Sequence, residues 1–208
     1  ALVGTHVTAI RSVVFDVGRV LVQWDMRHLF GKLIEDRQEL DWFLQNVVTT
    51  EWHFQADAGR ALADMVAERK GEFPDYGEHL DAYATRFNET IPGPVPGSYE
   101  IVEELAAQGV PLFAITNLGA EFGTSFRPTQ PLFDHFRDIV VSGEEKMHKP
   151  DPAIYRLALD RFGLAEGEGL FIDDSQPNVE AARANGFLAH HFTDAPTLRI
   201  ELEALGLL

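Results

Sequence analysis

Four short apolar runs recur along the chain, at residues 13–15 (VVF), 110–115 (VPLFAI), 139–141 (IVV) and 170–172 (LFI). Each is too short for a helix and shows no polar face, the pattern of a strand covered on both sides. Between these runs the apolar positions change period. Ile101, Val102, Leu105 and Ala106 share one helical face, closed by Gly109 just past the end, where a left-handed backbone costs glycine little. A second helical pattern starts near Asp151 with Pro152 in its first turn, carries Ile154, Leu157, Ala158 and Phe162, and stops at Gly163. A third begins around Ser175 and Pro177 and stops at Gly186. Strands alternating with helices predict an α/β fold, a Rossmann-like, doubly wound parallel sheet with helices on both faces.

The first two strands are separated by far more chain than one crossover helix needs. Residues 24–96 show helical spacing (Leu29, Phe30, Leu33, Ile34, then Ala61, Leu62, Met65, Val66) and no convincing strand. They end in Pro92-Gly93-Pro94-Val95-Pro96-Gly97, the composition of a stiff connector. The expected organisation is a core built from residues 1–23 and 97–208, with residues 24–96 inserted above the sheet as a helical cap.

Composition narrows the chemistry. A chain of 208 residues, 45% hydrophobic, can bury one sizeable core and carry such an insertion. It has no run of about 18 apolar residues and no basic head followed by an apolar stretch at its start, so a cytoplasmic location is expected. Zero cysteines exclude a thiolate nucleophile, a disulfide and a cysteine-ligated metal. A formal charge of −16 opposes nucleic acid and anionic membranes as partners and favours a small ligand. The insertion alone holds seven Lys/Arg against fourteen Asp/Glu, which would repel a polyphosphorylated molecule.

In an open parallel sheet, ligands bind beyond the carboxyl ends of the strands. The polar residues that end the apolar runs are Asp16, Thr116 with Asn117, and Asp173 with Asp174, joined by Lys149 ahead of a helix. Three carboxylates at one rim repel each other unless a cation shares the site. Oxygen ligands without cysteine suit Mg²⁺ rather than Zn²⁺. The lysine and the threonine hydroxyl then remain to hold an anion beside the metal, and phosphate is the common anion for such a set.

The order FDVGRVL, AITN, the lysine of HKPDPAIY, and LFIDDSQPN resembles the four motifs of phosphatases in the haloacid dehalogenase superfamily, over nearly the whole chain and with an insertion where that family places its helical cap. The resemblance implies Asp16 as nucleophile, Thr116, Asn117 and Lys149 around the phosphoryl group, and Asp16, Asp174, Asp173 and the Gly18 carbonyl around Mg²⁺. The implied substrate is a small phosphorylated metabolite, hydrolysed through an aspartyl-phosphate.

One departure stands out. The common pattern places a second aspartate two residues after the nucleophile, as general acid and base, where this chain has Gly18, followed by Arg19 and Val20. Loss of that group is worth about 10²- to 10⁴-fold. The expectation is a phosphatase that favours easily departing groups, since a branch with the same Asp-x-Gly pattern is similar to sugar-phosphate phosphatases. An acid of the insertion, Asp25 or Asp57, is a candidate substitute. Two alternatives stand beside it: a metal-independent 2-haloacid dehalogenase, and a catalytically idle module that binds a phosphorylated ligand or a protein. Against the dehalogenase, no Lys or Arg lies between Arg37 and Arg60, and the Asp173–Asp174 pair is present.

Other residues carry weaker signals. Trp24, Trp42, Trp52, Phe54 and Tyr83 either pack in the core or line a pocket, and residues 51–60 (EWHFQADAGR) read as a loop facing the site. His148 is either a solvated loop residue or a phosphate contact; His190 and His191 lack an evident third metal ligand. Asn117 and Asn178 read as supporting hydrogen-bond groups. Arg19 has no evident role.

Overall fold

The computed structural model describes residues 9–208. In chain order these form β1 (Ser12–Phe15), α1 (Arg27–Phe30), α2 (Arg37–Asn46), α3 (Thr50–Asp57), α4 (Leu62–Glu72) and α5 (Gly77–Thr85). Then follow α6 (Ser98–Ala107), β2 (Leu112–Thr116), α7 (Ala120–Phe126), β3 (Phe136–Val141), α8 (Ser142–Glu145), α9 (Pro152–Phe162), β4 (Gly169–Asp173), α10 (Gln176–Ala184), β5 (Leu188–His191) and α11 (Ala195–Ala204). Short 3₁₀ turns join several of them.

Every residue of β1 is buried, as a run with no polar face requires, and β1 sits at the centre of a five-stranded sheet of order β3-β2-β1-β4-β5. All pairings are parallel. Phe15 pairs with Ala114 of β2 and with Ile172 of β4, so the carboxyl ends of three strands reach one rim together. Alternation along β1 divides the core. Val13 and Phe15 join Ile101, Leu105, Leu198 and Leu202 of α6 and α11. Val14 joins Ile154, Tyr155, Ala158 and Ala182 of α9 and α10 on the other face. Helices therefore cover both sides, and the α/β architecture read from the sequence is the one observed. None of the helices among the described residues is long and apolar enough to cross a membrane.

Between β1 and α6 the chain forms α1 to α5 and 3₁₀ turns, with no strand of the sheet. Phe30, Phe43, Met65, Leu80 and Tyr83 gather in an apolar cluster of their own, joined from below by Phe122 of α7, which stacks on Phe87 at 3.8 Å between ring centroids. The proline- and glycine-rich stretch is held by backbone hydrogen bonds to the chain that follows β1. Gln23 N–H donates to Gly93 O and Val95 N–H to Leu21 O, so the entering and leaving chains clasp each other.

Residues 51–60 differ from the loop expected there, because most of them are α3. Thr49 caps the helix, its hydroxyl accepting from Trp52 N at 3.0 Å, and Glu51 lies in the first turn, where the helix dipole favours an acid. The end of α3 rests on two glycines. A Cβ on Gly143 would lie 2.5 Å from Ala120 N and 3.0 Å from Ala56 O; one on Gly119 would lie 3.1 Å from Ala56 Cβ. The close fit at Gly143 admits only a hydrogen and that at Gly119 is tight, so the last turn of α3 settles on the loop beyond β2.

Candidate active site

Because the strand ends are level, Asp16, Thr116 and Asp173 stand side by side, and the loop before α9 brings Lys149 among them. Lys149, 3% exposed, donates from Nζ to Asp16 Oδ1 at 2.8 Å and to Asp173 Oδ2 at 2.7 Å. Burial works to lower its pKa, but the two carboxylates outweigh that and hold the ammonium above its ordinary value. Asn117 accounts for the lysine's placement: its Oδ1 accepts from Lys149 N at 2.8 Å and its Nδ2 donates to Lys149 O at 2.9 Å. The amide expected at the phosphate lines the cavity but is tied through both polar atoms to the lysine backbone.

Asp16, 8% exposed, accepts on Oδ1 from Val17 N and from Lys149. Burial pushes its pKa up, the lysine opposes this, and Asp173 and Asp174 add to the rise. Asp174 is likewise raised, by burial and by Asp173. One oxygen from each of Asp16, Asp173 and Asp174 lies within 4.8 Å of the others. Asp173, expected as a direct metal ligand, differs in its surroundings. It is fully buried, with Oδ1 accepting from Ser175 N and Oδ2 from Lys149 Nζ and Asn178 Nδ2. Its oxygens fasten Lys149 and the start of α10, which leaves Asp16 and Asp174 as the more open pair.

A cavity of about 240 Å³ lies over this rim, and Asp16, Gly18, Thr116, Lys149 and Asp174 face it from the sheet side. Val17, Val22, Trp24, Phe87, Ile91 and Leu118 give it an apolar wall. Gly18 does not need glycine's backbone freedom: it lies outside the left-handed region, and a Cβ there would meet nothing within 4 Å. Arg19 takes the left-handed conformation instead, with φ of 63°, and its guanidinium lies 5.0 Å from the Trp24 ring centroid.

From the insertion, α3 contributes His53 and Asp57. Both are buried, 7% and 8% exposed. His53 Nδ1 shares a 2.7 Å hydrogen bond with the Tyr83 hydroxyl, and His53 Nε2 lies 3.8 Å from Asp57 Oδ1, which has no hydrogen-bond partner among the described residues. Burial pushes the Asp57 carboxyl up to about 7, with Lys149 opposing, and pushes His53 down to about 4. The i, i+4 spacing of a histidine and an acid was the available sign of this pair.

The remaining candidates lie elsewhere. Asp25 accepts from Arg27 N at the start of α1 and does not line the cavity. Trp52 and Tyr83 are core residues, and Trp42 and Phe54 are 46% and 36% exposed; of the five aromatics only Trp24 lines the cavity. His148 sits outside it, 3.3 Å from Asp151 and edge-on to Phe54. His190 and His191 lie on β5, and His191 Nε2 bonds Asp174 O at 2.9 Å.

The profile described as haloacid dehalogenase-like hydrolase matches residues 47–189, a span that includes Thr116, Lys149 and Asp173–Asp174 but begins after Asp16. A sesquiterpene phosphatase of Aspergillus oryzae is 28% identical over 200 residues, covering 95% of this chain and 97% of that protein. A phosphoglycolate phosphatase of Thiobacillus denitrificans is 31% identical over 144 residues, 69% of this chain and 58% of its own length. Among solved structures, a HAD family enzyme from Bacteroides thetaiotaomicron, in complex with magnesium and inorganic phosphate, superposes with a TM-score of 0.68 at 19% identity, over 89% of this chain and 96% of that one. At that identity the likeness is one of fold.

Proposed function

Since this chain belongs to the haloacid dehalogenase-like hydrolases, we propose that it is a Mg²⁺-dependent phosphatase that hydrolyses a small phosphomonoester through an aspartyl-phosphate on Asp16. The observation that carries this reading is the lysine: one buried ammonium bonded to two buried carboxylates at the mouth of a cavity that Thr116 and Asp174 share. The donor set fits a hard divalent cation, with oxygens alone in the acidic cluster and burial raising the carboxyl pKa values that such a cation would lower. Asp16, Asp174 and the Gly18 carbonyl would hold the ion, which would supply charge neutralisation for the carboxylates and the phosphoryl oxygens.

The chain's own groups do the rest. Lys149 holds Asp16 Oδ1, which turns the other oxygen into the attacking one. Attack of that oxygen on phosphorus forms the acyl phosphate as the ester bond breaks, and water then cleaves it. Thr116 would donate to a phosphoryl oxygen, and Asp173 keeps the lysine in its charged form.

The apolar wall favours a substrate with a compact apolar body over a sugar. The relative named for a sesquiterpene supports the same choice. Phosphate release should be measured from aryl, alkyl, prenyl and sugar monophosphates with Mg²⁺ and with EDTA. Release that needs Mg²⁺ and disappears in Asp16→Asn is the expected result. Halide release from a 2-haloacid in EDTA, with every phosphate ester inert, would replace this reading with the dehalogenase one.

A further inference from the structure

We propose that Asp57, delivered by the inserted helix α3, is the general acid and base of the reaction, in place of the carboxyl that Gly18 leaves out. The inference rests on the phosphatase reading above and deepens it. Four observations converge on this residue. The first strand supplies the cavity with a nucleophile candidate and no second acid, and the space around Gly18 is open. Among the cavity's ionisable groups, Lys149 is bonded to Asp16 and Asp173, Asp174 belongs to the acidic cluster, Arg19 lies over Trp24, and His53 Nδ1 is engaged by Tyr83. Asp57 is the carboxyl outside that cluster: it lines the cavity, is buried, and its Oδ1, 3.8 Å from His53 Nε2, has no hydrogen-bond partner among the described residues.

Its environment also sets its protonation. The carboxyl ends α3, where the helix dipole disfavours a negative charge, and burial acts in the same direction. A group held near neutrality both gives and takes a proton at physiological pH. His53, itself tied to the Tyr83 hydroxyl through Nδ1, lies against the carboxyl with Nε2 3.8 Å from Oδ1. Gly119 and Gly143 seat the same turn on the core, so the acid is fixed relative to the strand ends rather than carried on a free arm.

The steps balance. As an Asp16 oxygen bonds to phosphorus and the ester P–O bond breaks, the Asp57 proton passes to the leaving oxygen, which departs as an alcohol. Asp57, now a carboxylate, takes a proton from the water that attacks phosphorus. The P–O bond to Asp16 breaks, inorganic phosphate leaves, and Asp57 is again protonated.

This arrangement changes the expectation drawn from Gly18. A protein with Asp57 in this role turns over primary alkyl phosphates, because the leaving alkoxide is protonated as it forms. The test compares the wild-type protein and Asp57→Asn, with Mg²⁺, on 4-nitrophenyl phosphate, phenyl phosphate and a primary alkyl phosphate. The wild type should show a shallow dependence of rate on leaving-group pKa. Asp57→Asn should lose about 10²- to 10⁴-fold on the alkyl ester. On 4-nitrophenyl phosphate it should release a burst near one nitrophenol per enzyme and then slow, as the acyl phosphate waits for its base. Asp57→Ser provides the same comparison if the asparagine variant does not fold, as judged by circular dichroism. Rates equal to wild type, or a uniform loss on all three esters without a burst, would overturn the role of Asp57 while leaving the phosphatase reading intact. A wild type inert on every ester would overturn both.

Discussion

Above about pH 7, replacing Asp57 by asparagine should make the protein more stable, and the size of the gain can be worked from the burial of the carboxyl. Its pKa stands at about 7 in the fold against 3.8 for the ordinary group. The folded state therefore binds this proton more tightly than the unfolded chain does. Below pH 3.8 both states are protonated and the group costs nothing. Between that value and about pH 7 the unfolded chain ionises first, and stability falls by about 1.4 kcal/mol per pH unit; above pH 7 the full cost, about 4 kcal/mol, is in place. Asparagine removes that cost but leaves an amide among the same neighbours, a penalty of about 1–3 kcal/mol that does not change with pH. The informative quantity is thus the difference between variant and wild type as a function of pH. It should move in favour of Asp57→Asn by several kcal/mol between pH 4.5 and 8, then level off. Urea denaturation at half-unit pH steps measures it, and thermal scans should follow at about 2–4 °C per kcal/mol for a chain of this size. Losses elsewhere in the protein cancel in the comparison. A difference that stays flat across this range would mean that the carboxyl is solvated in the folded state, and the reasoning from its burial would fall.

Lys149→Met keeps most of the apolar stem and removes the charge from between two buried carboxylates; it should cost about 3–5 kcal/mol in urea denaturation at pH 7.5 and abolish phosphate release. Protonation of the abandoned acids should return part of that stability at pH 5, which the same titration shows. Gly143→Ala drives a methyl group against Ala120 N and Ala56 O, and should cost about 1–3 kcal/mol by chemical denaturation. Its turnover of alkyl phosphates should fall more than its turnover of 4-nitrophenyl phosphate, because the clash displaces the turn that carries Asp57.

The sheet and its rim were legible because parallel strands buried on both faces leave unbroken apolar runs, and the polar residue that ends each run has few places to go. Register supplies the rest: once Phe15 aligns with Ile172, Asp16 and Asp173 must be neighbours. Less could be read where side chains choose among several partners. Asp173 and Asp174 are adjacent in sequence, yet one is locked by Ser175, Lys149 and Asn178 while the other borders the cavity. Nothing in the dipeptide distinguishes them. Residues 51–60 misled because their aromatic, polar and small residues show little amphipathic order; the helix is specified by its Thr49 cap and by packing of Trp52 and Ala56. Asp25 and Asp57 were equal candidates by composition, and only the path of the insertion separates a helix-starting acid from a cavity acid.

The pair of glycines beneath α3 bears on how such proteins diverge. Their bare backbones are a docking code written in the core for a helix encoded sixty to ninety residues earlier, so the two stretches cannot drift independently. In a relative with a bulky residue at either place the last turn of α3 would have to stand off, and its cavity acid, if it kept one, would come from another direction. Positions 119 and 143 therefore serve as a marker, readable from sequence alone, for relatives whose roof and floor meet as they do in this chain.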